Sequence, residues 1–219
     1  YDFRRWNLFH TPKDDDAKRP AWEIRADNIG YVNLGNLDPG KVKKMMQDLL
    51  PAKAIIFDIR NYPKSVYPAI AKYLNTERKP FVRASMPNIN FPGIYTFSKL
   101  MYAGTKNKLA YKGRVILLMD ERTQSMAEFT VMALQTAPNV TTMGNHTAGA
   151  DGDLIKIPLP GGYTTAMSSL GIYYPDGKPT QRTGIIPDII VRPGIEGIRQ
   201  KKDEVLDKAI EVINNGIAN

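Results

Sequence analysis

Two short runs, AIIFDI at 54–59 and RVILLM at 114–119, constrain this chain more than anything else in it. Each is of strand length and almost unbroken in its apolar character. A strand with one wet face alternates apolar and polar residues, whereas a continuous run belongs to a strand covered on both faces. Helix-spaced apolar stripes stand around these runs: Val42, Met45, Met46 and Leu49, then Val66, Ala69, Ile70, Tyr73 and Leu74. Ile29–Leu34 and Val140–Met143 read as further strands. Strands that alternate with helices predict βαβ units, and hence an α/β fold with a mostly parallel sheet backed by helices. Sites in such sheets form at the carboxyl ends of strands. The loops that begin at Arg60, Asp120 and Gly144 all lie at such ends and are expected to converge.

The rest of the chain fits around this frame. Asp38-Pro39 is a helix start, with Asp as cap and Pro in the first turn. Phe81–Ala84 reads as a strand, Met86–Pro92 as a loop, and Phe97–Tyr102 as a short helix. Pro160-Gly161-Gly162 between Ile155–Leu159 and Tyr163–Ser168 signals a hairpin. Tyr174-Pro175-Asp176-Gly177 is a turn, 189–191 a last short strand, and Glu204–Ile213 an amphipathic helix. Residues 1–27 are mixed and charged. They are expected to be a leader or the remnant of a preceding, PDZ-like module, with the main domain at 28–219.

Composition excludes several classes. The chain has 219 residues, 42% of them hydrophobic, and no low-complexity tract, as expected of a folded domain. No apolar run approaches the roughly 18 residues of a membrane span. The N-terminus does not read as a signal peptide, and it lacks an initiator Met, as a fragment or processed form would. There are no cysteines, so disulfides, thiol nucleophiles and thiolate metal sites are out. Two histidines without ligand spacing give no metal site, and nothing in the sequence calls for a cofactor. The net charge of +8 is scattered rather than gathered into a basic block with aromatics, which argues against a nucleic-acid partner.

Attention falls on Ser125. It follows the Arg114–Met119 strand and a polar break, and it precedes a helical pattern of Met126, Phe129, Thr130 and Ala133. A serine there sits at the positive end of a helix, where free N–H groups can hold an oxyanion. The same Ser-x-x-Glu pattern, with Glu128 three residues on, is also that of a capping box.

In these residues the chain resembles the tail-specific, or C-terminal-processing, serine peptidases, including the tricorn core. The resemblance spans about 28–213 and rests on six pieces in order: IGYVNL, FDIRNYP, DERTQSMAE, GNHTAGADG, LPGG and YYPDGKPTQRTGIIPDIIV. It implies a layered α/β fold of the ClpP/crotonase type, hydrolysis of peptide bonds in peptide or protein substrates, and a periplasmic or extracellular location. Ser125 falls on the family's nucleophile. The backbone N–H of Met126 falls on one oxyanion donor. The other belongs to the loop after FDIR, where Lys64 and Ser65 stand in place of two glycines, so Ser65 is the second candidate.

The family's bases do not carry over. The lysine of the bacterial branch falls on Ala150 and its supporting glutamine on Leu154. The histidine of the tricorn branch falls on Asn33 and its glutamate on Gln181. A serine hydroxyl needs a positioned base to become a nucleophile. His146, in the glycine-punctuated loop, and Lys64, in the neighbouring one, are the candidate substitutes. Asp151 and Asp153 are candidates to orient a base. Arg60 is expected to pair with Asp58 or a loop carboxylate. Three functions follow: a serine peptidase with a non-standard base, a catalytically weak or inactive homologue that binds extended peptides, or another acyl-transfer chemistry on the same scaffold.

Overall fold

The computed structural model describes residues 20–215. In chain order the first elements are β1 (Trp22–Arg25), β2 (Ile29–Asn33), α1 (Val42–Leu49), β3 (Ala54–Asp58) and α2 (Tyr67–Leu74). Next come β4 (Lys79–Pro87), β5 (Tyr95–Phe97), β6 (Met101–Ala103), β7 (Arg114–Met119), α3 (Met126–Leu134) and β8 (Val140–Gly144). The chain then forms β9 (Leu154–Leu159), β10 (Tyr163–Ser168), β11 (Gly171–Tyr173), β12 (Ile189–Ile190), α4 (Ile195–Arg199) and α5 (Glu204–Asn215). The main sheet has the order β1-β2-β3-β7-β8-β12. Every neighbouring pair in it is parallel except β1 with β2.

The two apolar runs lie at the centre of this sheet, and their period of two explains why neither alternates in polarity. From β3, Ile55 and Phe57 face one core, together with Val115, Leu117 and Met119 of β7. That core is closed by α1, α2 and α3. The intervening Ile56, Ile116 and Leu118 face a second core, closed by Val205, Leu206, Ala209 and Val212 of α5. A helix on each face removes the wet side that would have selected polar residues.

Two expectations are corrected. Tyr95–Phe97 and Met101–Ala103 are strands, not part of a helix, and both pair antiparallel with β4. The long edge of β4 supplies main-chain partners, and Tyr, Thr and Phe suit a pleated surface. Asp38 makes no side-chain cap, because its carboxylate pairs with Lys64. Ahead of residue 28, β1 pairs along its whole length with β2. The leader expected in the preceding residues, up to 19, lies outside the described residues.

Candidate active site

The parallel strands bring three loops to one edge. Ile59 N–H donates to Leu118 O at 2.9 Å, and the Thr123 hydroxyl donates to Ile59 O at 3.1 Å. Ala148 N–H donates to Thr123 O at 2.9 Å. The loops after β3, β7 and β8 are thus bonded to one another, as their places in the sequence predict.

Ser125 closes the β7–α3 turn. Its backbone has φ 51° and ψ −119°, a region that an L-residue enters at a cost of about 1–3 kcal/mol. An ordinary N-cap serine is extended, with negative φ, so capping alone does not call for this geometry. Ser125 and Glu128 nevertheless form the capping box, in which Ser125 N–H donates to Glu128 Oε2 at 3.1 Å. Ser125 is half-buried, and its hydroxyl accepts a hydrogen bond of 3.4 Å from the Tyr62 phenol.

Glu128 itself is fully buried. Besides Ser125 N–H it takes Ala150 N–H on the same oxygen at 3.0 Å. Its other oxygen accepts the Thr147 hydroxyl at 2.5 Å and Gly149 N–H at 2.8 Å. One carboxylate therefore stitches the glycine-punctuated loop to the start of α3. That loop turns sharply at Gly149, where φ is +64° and an added Cβ would lie 2.8 Å from Gly184 N. Glycine alone fits there.

The candidate bases lie as follows. Lys64 is 57% exposed and forms an ion pair with Asp38. His146 is half-buried. No hydrogen bond joins either of them to Ser125 among the described residues. The backbone N–H groups of Met126 and Ser65 meet no protein acceptor among the described residues. Among those residues no cluster of three or more His, Asp or Glu side chains is placed to hold a metal ion, and no helix is long and apolar enough to cross a membrane.

Arg60 does more than the expected pairing. Its guanidinium donates to both oxygens of Asp58, at 2.9 and 2.6 Å, and to both of Asp203, at 2.7 Å each. Burial opposes its charge, but the two carboxylates outweigh burial and hold its pKa above the usual arginine value. Asp151 is the opposite case. It is buried, one oxygen accepts Gly152 N–H at 2.7 Å, and Oδ2 has no partner among the described residues. Burial first, and then the nearby Glu128 and Asp153 charges, push its pKa up to about 7 against the pull of the Gly152 N–H.

Sequence reasoning missed Tyr62 and Asp203. Tyr62 sits inside the FDIRNYP piece, whose spacing already marked the loop. Asp203 carries no local signal, because its partner lies 143 positions away.

The model of peptidase family S41 matches residues 28–191. The chain belongs to this family. Its fold also matches solved structures. A protein of Parabacteroides merdae provisionally described as a peptidase is 24% identical with a TM-score of 0.77, over 88% of this chain and 63% of its own. Mature CPAF is 17% identical at TM-score 0.68, over 87% of this chain and 52% of its own. The photosystem II D1 C-terminal processing protease is 18% identical at 0.56, over 78% and 46%. The chain thus spans less than two thirds of these relatives. No curated protein matches it. The tail-specific peptidase likeness and the layered α/β fold expected from sequence agree with these matches.

Proposed function

We propose that this member of the family is a serine-type peptidase acting on peptide or protein substrates, with Ser125 as the nucleophile and without the family's lysine or histidine base. The observation that carries the reading is the strained backbone of Ser125, at φ 51°, between β7 and α3. Such strain is found where surrounding structure holds a residue in place for function, and a sharp strand-to-helix turn presents a nucleophilic hydroxyl. The unpaired N–H of Met126 and that of Ser65 are the candidate oxyanion donors.

A fluorophosphonate probe tests the nucleophile. The native chain is expected to become labelled, and Ser125→Ala is expected to abolish labelling. Equal labelling of the two proteins would reject Ser125. A second reading, an inactive homologue that binds extended peptides, draws on one observation: neither Lys64 nor His146 is bonded to Ser125. Absence of labelling from pH 6 to 10, together with retained binding of unstructured peptides, would favour it.

A further inference from the structure

The loop after β3 is anchored on both sides of Tyr62. Arg60 is held by Asp58 and Asp203. Asn61 donates to Asn33 Oδ1 at 2.9 Å. Pro63 is buried, Lys64 pairs with Asp38, and Val66 is 0% exposed in the core. Tyr62 projects from this anchored frame. It is 52% exposed, and its phenol reaches the Ser125 hydroxyl at 3.4 Å.

An exposed tyrosine held this way needs no partner for stability, since water can satisfy its hydroxyl. Its loop nevertheless aims it at the one oxygen that the peptidase reading makes reactive. No other side chain is hydrogen-bonded to that oxygen among the described residues. The separation is longer than a settled O–H···O bond, as is common for catalytic pairs before substrate binds.

We propose that Tyr62 is the proton-transfer partner of Ser125, in the role that lysine or histidine fills elsewhere in the family. The inference rests on Ser125 being the nucleophile. In its phenolate form Tyr62 takes the Oγ proton while the Oγ–C bond forms and the carbonyl π pair moves onto oxygen. When that pair returns, the C–N bond breaks, and the phenol gives its proton to the departing nitrogen. Water then attacks the acyl-enzyme by the same transfer, and the Ser125 hydroxyl is restored.

The charged groups on the surrounding loops are engaged elsewhere. Arg60, Lys64 and Arg122 pair with carboxylates, Arg122 with Asp120. Glu121 accepts from Asn145, and Glu128 from four donors. His146 forms no hydrogen bond among the described residues and is the competing candidate.

The test is the rate of fluorophosphonate labelling against pH for the native chain, Tyr62→Phe, His146→Gln and Ser125→Ala. Thermal melts check that each variant folds. Tyr62→Phe is expected to label about 100-fold more slowly than the native chain, the lower range for one acid–base group, and to change the shape of the pH profile. Tyr62→Phe labelling at the native rate with an unchanged profile, or the profile changing only in His146→Gln, would overturn the role of Tyr62 while leaving Ser125 standing. A native chain that never labels would overturn both.

Discussion

Two carboxylates lie buried within a few residues of the same loop, and they are treated in opposite ways. Glu128 has four donors on its two oxygens. Asp151 has one donor and an oxygen with none. The first joins the turn of Ser125 to the glycine-punctuated loop. The second sits one residue past Ala150, the position the family's lysine would occupy. Hydrogen bonds are thus concentrated on the part of the loop that must be rigid. The adjoining part keeps an ionisable group in a poor environment, a pattern typical of functional sites.

The contrast can be broken most forcefully at Glu128. Glu128→Ala leaves Ser125, Thr147, Gly149 and Ala150 without their acceptor. It is expected to destabilise the protein by about 4 kcal/mol or more and to abolish probe labelling at Ser125. Chemical denaturation measures the first effect. A loss near 1 kcal/mol would mean that water readily replaces the carboxylate and that the stitching is unimportant.

Asp151 should respond with the opposite sign. Its pKa rises from 3.8 to about 7 on folding, so between those values the folded state keeps a proton that the unfolded chain has released. The stability this gives is complete below the unfolded value and is lost as pH rises through the folded one. Asp151→Asn, which carries no charge, is expected to be more stable than the native chain at pH 8 by roughly 2–4 kcal/mol and nearly equal to it at pH 4. Denaturation at the two pH values compares them. A gap that does not change with pH would show that Asp151 is not the group that titrates.

The smallest effect concerns the backbone strain beside Glu128. Ser125→Gly and Ser125→Ala both remove the hydroxyl, but only glycine is at ease at positive φ. The glycine variant is expected to exceed the alanine variant by about 1 kcal/mol. Melting curves that coincide would mean that the turn relaxes in solution and stores nothing.

Much of this architecture was legible in the sequence. The continuous runs of β3 and β7 announced strands covered on both faces, and the alternation with helices announced parallel pairing. Ser125 stood out because strand, polar break and amphipathic helix follow in order. The segment at 95–103 was not legible. Its aromatics fit either period, and only the long edge of β4 decides for strand. The side chain hydrogen-bonded to the Ser125 hydroxyl was hidden for a different reason. Local pattern identifies residue types suited to proton transfer at neutral pH, and so it pointed to His146 and Lys64. The side chain that reaches Ser125 is set by the anchoring of Arg60 and Asn61, which depends on Asp203 and Asn33. Contacts over such separations leave no periodic trace.

The grip of Asp203 on Arg60 also sets an order of events during synthesis. A ribosome delivers Ser125, Tyr62 and both candidate oxyanion donors well before residue 203, yet until then the guanidinium has only Asp58 to hold it. The clamp that anchors the loop carrying Tyr62 is completed by a residue immediately ahead of α5. The setting of the loop that faces Ser125 thus depends on a segment made after Ser125 itself.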